Sequence, residues 1–228
     1  MILKKWSDLP KELQKEEIKE YYNMLWEKRR YLFIKRLIDI IGSLVGTIVL
    51  LPFMIIIAIF IKFESKGPAI FKQVRVTQYN KKFNIYKFRT MVVDAEKLGT
   101  QVTSKNDSRI TGVGKIIRKC RLDELPQIIN ILKGDLSFVG TRPEVPKYVD
   151  KYSTEMLATL LLPAGVTSRA SIEFKDEEKI LDGCKDVDRV YVEEVLPLKM
   201  KYNLQYIKDF NIKGDLIIII DTIKAVFL

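Results

Sequence analysis

The chain has 228 residues, with 39 lysines and arginines against 29 acidic residues, a net charge of +10 and no histidine. The missing histidine excludes His-based triads, His metal ligands and His general bases. The two cysteines, Cys120 and Cys184, are far apart and each adjoins a lysine, which argues against a disulfide framework and a zinc site. The basic excess suits an anionic partner: acidic lipid headgroups, a phosphorylated substrate or nucleic acid.

Residues Pro10–Arg30 read as one polar helix, with a loose apolar stripe of Leu13, Glu17, Tyr21, Met24 and Trp26. Trp6, Tyr21, Tyr22 and Trp26 lie just before a basic, apolar stretch, so residues 1–34 are expected to form an interfacial helical extension or a packing helix. Ile40–Ile61 follows as 22 consecutive uncharged positions. An unbroken helix there is ~33 Å long, about the thickness of a bilayer's hydrocarbon core. Lys28, Arg29, Arg30, Lys35 and Arg36 precede it, and Lys62, Lys66, Lys72, Arg75 and Lys81 follow it. Cytoplasmic loops are enriched in lysine and arginine, so both flanks favour the same side. The predicted solution is a re-entrant helix–break–helix over residues 35–63, kinked at Pro52, whose missing N–H and ring break the regular ladder. An ordinary span with a tolerated proline is the alternative. Gly42 and Gly46 form a small-xxx-small pair that suits either helix pairing or plain apolar packing.

Residues 64–228 read as a soluble domain on the cytosolic side, ending in a membrane-associated helix. Gly67-Pro68 marks a turn. Ala69–Val76 and Lys82–Phe88 are β-prone runs joined by Tyr79-Asn80-Lys81, a predicted hairpin. Met91–Leu98 is expected as a short helix and Gln101–Thr111 as a loop. Gly114–Cys120 is a predicted basic helix with Ile116, Ile117 and Cys120 on its apolar side. Leu125–Lys133 is a second helix, with Leu125, Ile128, Ile129 and Leu132 at helical spacing and Gly134 as its stop. Val187–Phe210 is expected to be helical with an interruption at Pro197. Gly214–Leu228 is an apolar helix too short to span a bilayer, so it is expected to lie against the membrane face. The expected fold class is α+β, mostly helical.

Three short segments carry candidate chemistry. In Arg121-Leu122-Asp123-Glu124-Leu125-Pro126, two carboxylates stand at a helix start with Arg118, Lys119 and Arg121 just before them. Such a pair suits a Mg²⁺–phosphate site or a carboxylate nucleophile, and equally suits ordinary helix punctuation. Lys87 and Arg89 lie at a strand end, an arrangement that suits a grip on phosphate oxygens and is more commonly just a basic exposed strand end. Arg142 sits in a rigid turn between Gly140 and Pro143 and offers a bidentate fork, although by itself this piece reads equally as a surface turn that carries an arginine.

Taken in order, Lys35-Arg36-Leu37-Ile38-Asp39, the Pro52 segment, Gly67-Pro68 with Phe71, Gln73 and Arg75, Lys87–Met91, Leu122–Gln127 and Gly134–Gly140 resemble the bacterial sugar transferase family, the small monotopic phosphoglycosyl transferases. The resemblance runs from Lys35 to Glu144 and continues through Gly165-Val166-Thr167. It implies transfer of a sugar-1-phosphate from a nucleotide-diphosphate sugar, a UDP-sugar, to polyprenyl (undecaprenyl) phosphate, with release of UMP and need for Mg²⁺. It also implies a ping-pong mechanism with Asp123 as nucleophile and metal contact and Glu124 assisting. Lys87, Arg89, Arg118 and Arg142 are then phosphate contacts, and Arg169 is the candidate substitute for the family arginine that helps bind the sugar nucleotide. Thr141 replaces the first proline of the family's Pro-Arg-Pro turn. The implied location is the cytoplasmic face of the bacterial inner membrane, with its lipids and a second copy of the chain as candidate partners and no nucleic acid. A catalytically silent scaffold for polysaccharide-assembly enzymes is the other reading, and the intact Asp123-Glu124 pair argues against it.

Overall fold

A computed structural model describes residues 3–95, 107–180, 184 and 186–227. Two 3₁₀ turns, Trp6–Asp8 and Lys11–Leu13, lead into helix α1 (Glu16–Glu27) and then the long helix α2 (Arg29–Glu64). The single helix expected over Pro10–Arg30 is therefore divided. Pro10 is extended, and Lys28 leaves helical geometry at φ −89°, ψ 10°. The buried face of α1 is Ile18, Tyr21, Tyr22 and Leu25 rather than the stripe read from the sequence. With Leu13, Leu32, Leu161, Ile207 and Phe210 it forms the largest core of the molecule.

Helix α2 is continuous through Pro52, so the break expected at Leu51-Pro52 is an internal proline and not a helix end. Losing one backbone bond is tolerated because the turns on both sides pack on the rest of the protein. Leu32, Lys35, Asp39, Ser43, Met54 and Ile61 are buried along one face. Phe33, Ile41, Val45, Ile48, Phe53, Ile56 and Phe60 stand exposed on the others, Ile48 by 68%. Among the described residues α2 alone is long and apolar enough to cross a membrane.

Polar groups on the buried face fasten α2 to three elements. Lys35 Nζ lies 2.6 Å from Asp215, which also accepts from Tyr206. Arg36 donates to the Ile131 and Leu132 carbonyls at 2.6 and 2.8 Å, satisfying the orphan acceptors of a helix end. Asp39 accepts from Ser137 Oγ and the Phe138 N–H, both at 3.1 Å. Gly42 and Gly46 face Phe138 and Ile128 so closely that a methyl on either would meet a side chain at 2.9 or 2.5 Å. The small pair thus serves close packing on the chain's own domain.

Strands β1 (Ile70–Thr77) and β2 (Lys81–Phe88) form the expected antiparallel hairpin, in the register Phe71 to Lys87 and Gln73 to Ile85. Met91 pairs with Ile110 in an isolated antiparallel bridge, and Val92 N–H bonds the Arg109 carbonyl. Pairing with 109–110 replaces the start of the helix expected over Met91–Leu98; residues 96–98 and 101–106 of that region lie outside the described residues.

Helix α3 (Gly112–Lys119) is followed by a 3₁₀ turn, Leu122–Glu124, and by α4 (Gln127–Lys133), which Gly134 ends in the left-handed region at φ 89°. On α3 only Ile117 of the predicted stripe is buried, with Ile116 and Cys120 exposed. On α4 the buried face is Gln127, Ile128, Asn130 and Ile131, because Asn130 caps unpaired groups of β2 by accepting from Tyr86 N–H and donating to the Asn84 carbonyl.

Strand β3 (Leu136–Val139) pairs in parallel with β4 (Ala164–Thr167), the two separated by α5 (Pro146–Val149) and a 3₁₀ turn, Met156–Leu161. Beyond β4 come α6 (Arg169–Glu173) and α7 (Glu177–Ile180). Helix α8 (Val187–Val190) runs through a π turn, Tyr191–Val195, into α9 (Leu196–Lys208), and α10 (Ile212–Phe227) follows. The interruption expected at Pro197 appears as this π turn just before it: a proline donates no N–H to the carbonyl four residues back and crowds it, and the wider turn absorbs both effects. Helix α10 exposes Leu216, Ile217, Ile220 and Ile223, adding to the apolar surface of the molecule.

Candidate functional site

The hairpin, the α3–α4 connection, the segment after β3, helices α6 and α7, the π turn with α9, and α10 wall a cleft of ≈ 1240 Å³. Lys87, Arg118, Asp123, Glu124 and Arg142 line it together. Arg121 takes the left-handed conformation at φ 55°, a turn that brings the next three residues back over the cleft. Asp123 and Glu124 thus lie in the 3₁₀ turn that leads into α4, close to the helix N-terminus as expected, with Pro126 at the N-cap position rather than in the first turn.

The two carboxylates are in different states. Glu124 is held by Lys87 Nζ at 3.2 Å and by a fork from Arg142, one arm at 3.3 Å. Burial pushes its carboxyl up, but Arg142 and Lys87 outweigh that and hold it well below the ordinary carboxylate range. Arg142 is raised in turn by Glu124, while burial lowers Lys87. Asp123 forms no ion pair with any described residue. Burial, and then the Glu124 charge, raise its carboxyl above the usual value, against the pull of Lys87 and Arg118.

Arg142 is aimed by its backbone. Gly140 N–H bonds the Thr167 carbonyl at 3.0 Å and Gly165 N–H bonds the Thr141 carbonyl at 2.8 Å. A methyl on Gly165 would lie 2.1 Å from the Gly140 nitrogen, so this strand crossing requires glycine. Arg75 donates to the Pro143 carbonyl at 3.0 Å and fixes the far side of the turn.

Two residues assigned to the site from sequence are elsewhere. Arg89 is buried and spends its guanidinium on the end of α2, bonding the Ser65 and Lys66 carbonyls and Ser65 Oγ, each at 2.8 Å. Carbonyls at a helix C-terminus attract a cation, so a basic residue at a strand end can serve a helix end instead of a phosphate. Arg169 lies outside the cleft wall and pairs with Asp221 of α10 at 2.9 Å. Conversely, Arg75, Glu144, Tyr148, Tyr191, Lys199 and Glu177 line the cleft without having been singled out as site residues. They come from segments far apart, and no local spacing announces them.

No group of three acidic, cysteine or histidine residues among the described residues forms a metal cage. Asp123 alone fits a hard cation of the Mg²⁺ kind, which takes one or two carboxylates, retains water, and completes its shell with substrate phosphates. Its unpaired carboxylate and the cations around it match that habit.

The chain spans 40–44% of the length of three curated relatives that it matches. It is 36% identical over 199 residues, 86% of its own length, to the UDP-N-acetylgalactosamine-undecaprenyl-phosphate N-acetylgalactosaminephosphotransferase of Aeromonas hydrophila, of which it covers 44%. It is 33% identical over 217 residues, 87% of the chain and 41% of the relative, to the undecaprenyl-phosphate galactose phosphotransferase of Salmonella typhimurium. To the UDP-glucose:undecaprenyl-phosphate glucose-1-phosphate transferase of Klebsiella pneumoniae it is 35% identical over 198 residues, 85% of the chain and 40% of the relative. The family model described as bacterial sugar transferase matches residues 30–228, from the start of the apolar helix through the whole cleft, and the chain belongs to that family.

Proposed function

We propose that this protein moves a sugar-1-phosphate from a UDP-sugar to undecaprenyl phosphate, releasing UMP, as the membrane step that begins a polysaccharide or other glycoconjugate. One observation carries the reading. Of two adjacent carboxylates in the cleft, Glu124 is engaged by Lys87 and Arg142, while Asp123 forms no ion pair with any described residue.

In this reading an Asp123 oxygen attacks the phosphorus that bears the sugar. The bond from that phosphorus to the UMP oxygen breaks, and UMP leaves with its bridging oxygen. The acyl phosphate on Asp123 is then attacked by a phosphate oxygen of the lipid, which restores the free carboxylate and yields the polyprenyl-diphosphate sugar. Phosphoryl transfer depends mainly on positioning and charge stabilisation. Arg118, Lys87 and Arg142 supply the cations, and Glu124 keeps the last two in place. Bound Mg²⁺, held by Asp123 and the donor's phosphates, would neutralise charge on the departing UMP. The three relatives differ in the sugar they are named for, so the sugar is an outcome of the assay below.

Membrane attachment follows from α2. Arg36, near its start, bonds α4, while Ser65, at its end, is bonded by Arg89 of the same domain. A bilayer-crossing helix puts its ends on opposite faces, so anchoring of both ends to one domain favours attachment from one face, the cytoplasmic face of the inner membrane, with Pro52 as the internal position at which the continuous α2 would bend to stay there. The exposed sides of α2 and α10 would then lie among lipid.

The test is UMP release by the detergent-purified chain with Mg²⁺, undecaprenyl phosphate and a panel of UDP-sugars. At least one donor is expected to react, and Asp123→Asn is expected to abolish both turnover and a phospho-sugar adduct seen by mass spectrometry. No release from any donor would sink the activity; an adduct that survives the substitution would sink Asp123 as nucleophile.

A further inference from the structure

In the wall of the same cleft, Glu144 gathers a buried polar network. Tyr191 Oη donates to Glu144 Oε1 and accepts from Lys199 Nζ at 3.0 Å. Lys199 also lies 2.8 Å from Glu177 and 3.6 Å from Glu144. Glu144, Tyr191 and Lys199 are 7%, 3% and 6% exposed, so the network is nearly closed to water. Arg75 approaches Glu144 at 3.9 Å while bonding the Pro143 carbonyl.

The π turn makes this convergence. Tyr191 and Lys199 are eight residues apart, which in a regular α-helix leaves them about 80° apart around the axis. The wider turn at Tyr191–Val195 takes up that offset and lets both reach one carboxylate. Tyr148 packs against Tyr191, with ring centroids 4.6 Å apart and the planes tilted by 41°, and holds the phenol in line.

Glu144 is two residues from Arg142. Its carboxylate is gripped by α8–α9, its neighbour Pro143 by Arg75, and the start of the turn by the Gly140–Gly165 crossing. Resting on the transfer reading above, we infer that Tyr191 and Lys199 are positioning residues: by anchoring Glu144 they fix the Thr141–Glu144 turn, and through Arg142 they hold Glu124 away from Asp123. They touch neither Asp123 nor Glu124. A buried ionic group that sets geometry rather than adding stability is a known use of such pairs.

The experiment uses the full chain in nanodiscs with Tyr191→Phe, Lys199→Met and Lys199→Arg. Phenylalanine keeps the ring contact with Tyr148 and removes only the hydroxyl, so the variant retains the packing of the fold. Tyr191→Phe and Lys199→Met are expected to lower kcat about tenfold, the scale of one hydrogen bond to a charged group, with donor KM within twofold. Lys199→Arg is expected to recover part of the loss. Each loss should combine with Arg142→Lys less than multiplicatively, since the residues act on one turn. Hydrogen exchange of the peptide covering residues 139–146 should rise in both deletion variants. A rise in KM at unchanged kcat, fully multiplicative losses, or unchanged exchange would each overturn the inference. Should the unmodified chain release no UMP from any donor, the transfer reading fails and the exchange result alone decides the anchoring.

Discussion

Replacing Arg89 separates a structural cation from a catalytic one. Arg89 is 6% exposed and makes three contacts of 2.8 Å, to the Ser65 carbonyl, Ser65 Oγ and the Lys66 carbonyl, with a weaker one of 3.4 Å to the Ile61 carbonyl. Its Nε is buried without a partner, so the side chain already carries an uncompensated donor. A hydrogen bond from a charged donor contributes about 1.5–3 kcal/mol net. Ser65 is half-buried and Lys66 exposed, so their carbonyls regain water once the guanidinium is gone. The loss in Arg89→Met is therefore close to one full charged bond plus packing, about 2–3 kcal/mol. For a chain of this size that lowers Tm by about 4–12 °C. Lysine removes the orphan Nε and keeps one donor group, so Arg89→Lys should fall between the two. The assay is thermal unfolding in detergent beside donor KM, measured well below the melting range. Donor KM should stay within about twofold, since Arg89 is outside the cleft. An unchanged Tm with a tenfold rise in KM would refute the structural role and restore Arg89 to the phosphate site.

The same joint predicts a second variant. Gly67 sits at φ 116°, and a methyl there would come within 2.3 Å of Arg89 Nη1, so Gly67→Ala should cost about 1–3 kcal/mol in a thermal melt. Gly46→Leu drives a side chain into Ile128 on α4 and should destabilise the detergent-solubilised chain by about 1–3 kcal/mol, whatever its oligomeric state by light scattering. Glu124→Gln leaves Lys87 and Arg142 partly buried without their counter-charge, with an expected cost of about 3 kcal/mol and loss of UMP release. Its penalty should depend on pH with a defined sign. Glu124 is depressed in the fold, so its stabilisation is complete above the ordinary glutamate range near ~4.3 and is lost as pH falls through the lower folded value. The Tm gap between the unmodified chain and Glu124→Gln should hold from neutral pH down to that range and close only below it.

What the sequence revealed and what it hid divide along one physical line. Local order was legible: the hairpin, the helix stop at Gly134 and the long apolar helix are set by alternation, turn residues and composition within a few positions. The Asp123–Glu124 pair, Lys87, Arg118 and Arg142 were legible as one site only through their ordered motif string, and the fold brings them to one cleft. The misassignments were cations and stripes. Arg89 and Arg169 look in sequence like Lys87 and Arg142, because a guanidinium satisfies a helix-end carbonyl or an aspartate as well as a phosphate. Which of these a given arginine meets is fixed by elements far away in the chain. Likewise the stripe on α4 was misplaced because Asn130, a polar residue, turns inward to complete the edge of β2. Lys199 and Tyr191 carried no signal because Glu144 lies 47 residues before Tyr191. Only Pro197 gave a local hint that the helix carrying them is irregular, and the π turn it imposes is what brings the two side chains to one carboxylate. In this chain the sequence marks which charges are present; burial at helix ends and strand edges decides which remain free to meet a ligand.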